Sequence, residues 1–167
     1  MIPPATILFI SLFLEVGTGL SQTQQPAAST KPGFTLADLK AQIQQDRDGV
    51  FLMELSDIIH TATDPEVRGL LQGQPVATTA QVTAEAQDNA GASRLRLFRS
   101  QILCCASHLR QYCVSVECVG KAPTFKDRAW VRVVGTLSYQ SEDGKVIPFI
   151  LAKEVKEIAS PPNPLLK

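Results

Sequence analysis

The sequence predicts a mainly β chain with N-terminal helices, its body a five-stranded OB-like antiparallel barrel. Three observations carry that expectation. From Gln74 onward the hydrophobic pattern changes from a helical period to strict alternation. Turn-forming clusters cut the alternating region into five runs, the strand number of the OB barrel. Hydrophobic residues make up 44% of the 167 residues, enough for a core in one domain of ordinary size. A plain five-stranded sheet with helices on one face fits the same pattern.

The chain opens with an apolar run from Ala5 to Leu14, followed by small residues at Gly17, Gly19 and Ser21. That matches the hydrophobic centre and cleavage zone of a secretory signal, although the start lacks Lys and Arg and Glu15 closes the run. The run is shorter than the ~20 residues a membrane-spanning helix needs. Residues 1–21 are therefore expected to export the chain to the periplasm or cell envelope. An uncleaved anchor and a buried helix are the rival readings. Residues 22–33 are polar, Pro-punctuated and without large apolar side chains, the composition of a disordered linker.

Residues 34–73 form a helical lead-in. In FTLADLKAQIQQ, Thr35 and Asp38 stand at capping-box spacing, and Leu36, Leu39 and Ile43 share a face. DRDG interrupts. VFLMELSDIIHTAT resumes the helical stripe with Leu52, Leu55 and Ile59. Asp64-Pro65 opens a third helix and Gly73 ends it.

The barrel is expected over 74–160. Val76, Thr78, Ala80, Val82 and Ala84 share a face of the first strand, and QDNAGAS forms the following turn. RLRLFRSQILCC is the second strand, with a bulge predicted where the apolar phase shifts between Leu97 and Phe98. Tyr112, Val114, Val116 and Cys118 alternate in the third. AWVRVVGTLSYQ is the fourth, with Gly135 at a bend or bulge. VIPFILAKEVKEI is the fifth, and Pro148 places it at an edge or bulge. Residues 161–167 are a Pro-rich tail.

The formal charge is zero, with 16 basic and 16 acidic residues. Nucleic-acid binders usually carry a basic face, so no nucleic-acid partner is expected. Arg94, Arg96 and Arg99 read as a solvated strand face. Gly-rich phosphate loops, triad signatures and paired-carboxylate motifs are missing, so no catalytic residue is assigned.

All four cysteines lie in ILCCASHLRQYCVSVEC, with one of the two histidines. Neighbouring residues in a strand face opposite ways, so Cys104 and Cys105 can converge only if the strand ends there. ASHLRQ loses the alternation, which allows a turn. Cys113 and Cys118 differ by an odd number and face apart, with Cys118 on the core side. Three readings stay open. The cluster is buried thiols or a disulfide; it is a metal site of Cys104, Cys105 and His108, with Cys113 as an optional fourth ligand, thiolate and imidazole suiting zinc or copper; or it does thiol chemistry without the usual C-x-x-C pattern. His60 fits a helix surface, and Trp130 a core or rim anchor.

The Cys104-Cys105-Ala106 strand end, the Trp130–Leu137 run W-V-x-V-x-G-x-L and the Pro148–Ala152 strand leading into Pro resemble the C-terminal domain of the YcgQ-like family of bacterial membrane and exported proteins. The resemblance covers roughly residues 54–166. It departs at His108, where the family's CCAAD pattern has an acidic residue. The resemblance implies an envelope-located accessory or binding domain, a membrane permease as partner, and no enzyme. The expectation is a non-enzymatic binding domain, with a periplasmic thiol-disulfide enzyme and an OB-type single-strand nucleic-acid binder as alternatives.

Overall fold

The computed structural model describes residues 33–85, 89–103 and 108–166. The expected export segment 1–21, the linker up to residue 32, and Cys104 and Cys105 lie outside the described residues. Among the described residues, three short helices precede the barrel: α1 (Leu36–Gln42), α2 (Leu55–Thr61) and α3 (Pro65–Leu71). The Thr35 hydroxyl accepts from the Asp38 N–H (3.3 Å), and the Asp38 carboxylate accepts from the Thr35 N–H (2.8 Å). This is the capping box that the spacing predicts. The Thr35 hydroxyl also donates to the Asp38 carboxylate at 2.6 Å, and this bond, with that from the Thr35 N–H, holds the exposed Asp38 carboxyl below its ordinary pKa. At α3 the Asp64 carboxylate accepts from the N–H groups of Glu66 and Val67, with Pro65 in the first turn. Gly73, at φ +79°, turns the chain out of it.

The helix expected from residue 50 begins five residues later, at Leu55. Phe51–Leu52 form a short strand, β1, parallel to the start of β2 (Pro75–Ala84), with Phe51 opposite Val76. The turn at Asp46–Gly49, where Gly49 has φ +77°, brings the chain alongside β2 before Glu54 caps α2. A backbone ladder thus wins over helical propensity at Phe51 and Leu52.

The remaining strands are β3 (Arg94–Ile102), β4 (Leu109–Cys118), β5 (Trp130–Glu142) and β6 (Lys145–Glu157). Their order is β2-β3-β4-β6-β5, and β5 pairs back onto β2 to close a five-stranded ring. This is the OB-fold barrel. The barrel is mixed, not wholly antiparallel: β4 and β6 run parallel, Ser115 opposite Phe149. Strands alternating in direction cannot close an odd-numbered ring without one parallel pair.

Inward side chains fill the ring, among them Val76, Val82, Leu97, Val116, Val133 and Ile150. Helix α2 buries Leu55 and Ile58 against one end, and the Thr61 hydroxyl meets the Tyr139 hydroxyl at 2.7 Å there. The bulge expected at Leu97/Phe98 is not formed; β3 pairs with β2 and β4 through both residues without a shift. Both are apolar because both faces are covered, Leu97 by the core and Phe98 by Arg128, whose guanidinium carbon lies 5.9 Å from the ring centroid. Pro148 sits where β6 has β5 as its ladder partner, just before pairing with β4 begins.

The register of β5 against β6 shifts between Val134 and Gly135. A Cβ on Gly135 would lie 2.3 Å from the Leu151 carbonyl oxygen and 2.7 Å from Ile150 Cγ2, so the two strands cross at a distance only glycine permits. Gly135→Ala is expected to cost about 3 kcal/mol, at the upper end of overpacking. Gly69→Ala, in open space on α3, should gain about 0.5–1 kcal/mol. Urea unfolding of both variants checks the pair; wild-type stability in Gly135→Ala would contradict the close crossing.

Candidate functional site

Of the predicted site, the far end of the β3–β4 hairpin shows His108. Ile102 pairs with Leu109, and the Leu103 N–H donates to the His108 carbonyl at 3.1 Å. These are the last described pairings of the hairpin before the segment 104–107. Of the three predicted metal ligands, His108 alone is described, and it is exposed. Three aliphatic side chains stand in solvent around it: Ile102 at 43%, Leu103 at 59% and Leu109 at 55% exposure. Among the described residues, no group of three or more His, Cys, Asp and Glu side chains could hold a metal ion. Also among them, no helix is long and apolar enough to cross a membrane.

This end of the hairpin reaches past the strand that supports its base. The β2–β3 ladder stops at Gln81–Phe98. Arg99, the next residue, is not on the solvated face expected for it; its side chain is 6% exposed. Its Nη1 meets the Glu54 carboxylate at the start of α2, and its Nη2 donates to the carbonyls of Asn163 (2.9 Å) and Leu165 (3.2 Å). The guanidinium carbon lies 5.6 Å from the centroid of the Trp130 ring, a cation–π distance. The tail then takes the edge of β3 that β2 has left: the Leu166 N–H donates to the Ser100 carbonyl at 2.9 Å, and Leu166 is buried in the core.

Arg96 lies on the outer face but is not simply solvated. It binds the Glu85 carboxylate through Nε (3.1 Å) and Nη2 (2.8 Å), and the Ser115 hydroxyl donates to the same carboxylate at 3.1 Å. Glu85, between the end of the first alternating run and the QDNAGAS turn, is a functional-looking group the sequence does not flag. Arg99 does leave a signal: its odd number separates it from Arg94 and Arg96 in a two-residue period.

Cys113 is exposed on the outer face, and Cys118 packs half-buried against the core. They face apart, as their spacing predicts. Burial pushes the Cys113 thiol up; Arg96 pulls it down and Glu85 raises it further. Burial and then Glu117 raise that of Cys118. Neither is tuned as a nucleophile, which needs a lowered pKa. His60 is exposed in the last turn of α2, edge-on to Tyr112 with centroids 6.1 Å apart.

The family model described as the DUF1980 C-terminal domain matches residues 71–166. A search of curated proteins returns no match. Among solved structures, the telomere capping protein Ten1 from Saccharomyces pombe is 14% identical, with TM-score 0.36 over 65% of this chain and 80% of that one. A DUF3299 family protein from Pseudomonas aeruginosa PAO1 is 12% identical, with TM-score 0.41 over 65% and 96%. Yeast RPA bound to ssDNA is 18% identical, with TM-score 0.35 over 62% and 79%. Likenesses this distant add nothing to what the strand order states.

With Cys104 and Cys105 both changed to Ser, only Cys113 and Cys118 remain. Raised thiol pKa values mean a smaller thiolate fraction at any given pH. Their alkylation by iodoacetamide should therefore reach half-maximal rate above the ~8.5 of free cysteine. A midpoint at or below that value would contradict the assigned environments.

Proposed function

Because the chain belongs to the DUF1980 C-terminal domain family, we propose a non-enzymatic binding module of the cell envelope that meets its ligand or partner at the end of the β3–β4 hairpin. One observation carries the reading: Ile102, Leu103 and Leu109 remain in water on both sides of the connection that contains the double cysteine. Apolar groups concentrated at one exposed place mark an interaction site. The proposed ligands for a soft metal are Cys104, Cys105 and His108, two thiolates and an imidazole, with zinc or copper as the metal. The YcgQ-like resemblance with its double-cysteine motif, the apolar run from Ala5 to Leu14 and a permease as partner belong to this reading.

Single-strand nucleic-acid binding is the second reading, favoured by the OB strand order. Such sites combine a positive groove with exposed stacking aromatics. Here Phe98 is 9% exposed and Arg96 is neutralised by Glu85, so the outer face offers little of either.

The test is zinc and copper content of the full chain, purified without oxygen under reducing conditions. About one equivalent is expected, falling about ten-fold or more in Cys105→Ser and weakening at low pH as the thiolates protonate. Substoichiometric metal, alike in wild type and Cys105→Ser, would remove the metal reading.

A further inference from the structure

The opposite end of the barrel holds a second site. A cavity of about 270 Å³ opens between the chain around Asn89–Arg94 and the loop 119–129 that joins β4 to β5. Its floor is apolar: Val82, Leu95, Ala122 and Phe125. Its rim carries Arg94, Lys121 and Lys126 against one acid, Asp127. Among the described residues, none of these three cations has a carboxylate at ion-pair distance, whereas Asp127 lies 3.9 Å from Arg128. On a chain of zero formal charge, this mouth is locally positive.

The walls are pinned in place. The Ala122 N–H donates to the Ala92 carbonyl (2.8 Å) and the Cys118 N–H to the Ser93 carbonyl (2.8 Å), joining one loop to the other. The Val82 N–H donates to the Ala129 carbonyl and the Arg128 N–H to the Val82 carbonyl, both at 2.9 Å, fixing the far wall to β2. The Asn89 amide donates to the carbonyls of Glu85 and Arg94 and accepts from the Arg94 N–H, holding the remaining side. A loop without helix or strand thus lines a preformed cavity, so an occupant need not order it on binding.

We propose that this cavity binds a small amphiphilic anion: a compact apolar body, an aromatic ring above all, bearing one carboxylate or phosphate head. The ring fits over Phe125 and Leu95, and the head meets Lys121, Lys126 and Arg94 at the mouth. The volume falls just under the ~300–1,000 Å³ of drug-sized sites, which sets the occupant at one ring with a short arm. The site stands at the start of β3, roughly 25 Å along the strand from the hairpin end, and is independent of the metal reading.

The test is amide chemical-shift titration of the full chain with 3-phenylpropionate, phenyl phosphate, 3-phenylpropanamide and inorganic phosphate. One or both of the first two should shift the amides of Leu95, Ala122 and Phe125, and the tighter of them identifies the head. The neutral amide and inorganic phosphate should bind about ten-fold more weakly, each lacking one part of the recognition. Lys121→Gln with Lys126→Gln, both exposed changes, should weaken binding about ten-fold, and Phe125→Ala should weaken it too. Cys104→Ser with Cys105→Ser should leave it unchanged, which separates this site from the hairpin end. No binding by either anion, equal binding by the amide or by inorganic phosphate, or no effect of the lysine changes would overturn the proposal.

Discussion

The end of the β3–β4 hairpin is only as well placed as Arg99 makes it. At Phe98 β3 loses its ladder to β2, and four more residues of β3 continue beyond it. Those residues carry the exposed aliphatic end. One buried guanidinium closes the seam by joining the start of α2, through Glu54, to the tail, through the carbonyls of Asn163 and Leu165. Hydrogen bonds from a charged donor contribute about 1.5–3 kcal/mol net each. Glu54 is 54% exposed, so its ion pair adds little beside them. The buried Arg99 Nε has no hydrogen-bond partner among the described residues, and that subtracts about 1–3 kcal/mol. The joint is thus modestly favourable in energy and strong in geometry, fixing three segments at one point.

The two ends of the barrel differ in construction for the same reason. At one end, α2 fills the mouth with Leu55 and Ile58 and ties Thr61 to Tyr139. What is left for binding there is the protruding hairpin, supported from the side by the tail. At the other end no helix enters among the described residues. The loops around Asn89 and over 119–129 hold one another by backbone hydrogen bonds, and the space between them stays open. A protruding apolar edge suits a partner surface or a metal held at its tip; a pinned cavity suits a small molecule.

Much of the barrel was legible from period alone. Alternation from Gln74, the turn clusters and the position of Gly135 follow from local chemistry, and local chemistry decides them. The parallel β4–β6 pair was not, because it comes from closing an odd ring, a property of the whole. β1 escaped because Phe51 and Leu52 satisfy a helical stripe and a strand ladder equally well, and only the presence of β2 decides. Phe98 suggested a bulge because its outer covering, Arg128, is distant in sequence. At the candidate site the spacing correctly separates the faces of Cys113 and Cys118. The opposite face of Arg99 was readable from its odd number, but its burial depends on a tail more than sixty residues away. Cys104 and Cys105 lie outside the described residues.

Hydrogen exchange in Arg99→Met tests most directly whether this one side chain holds the hairpin end and tail together. The amides of Leu166 and Leu103, bonded to Ser100 and His108, are expected to exchange at least about ten-fold faster, near 1.4 kcal/mol of lost local stability. Val133, deep in the β5–β6 ladder, should keep its protection relative to global unfolding. Unchanged exchange at Leu166 and Leu103, or an equal loss at all three amides, would contradict a local joint at Arg99.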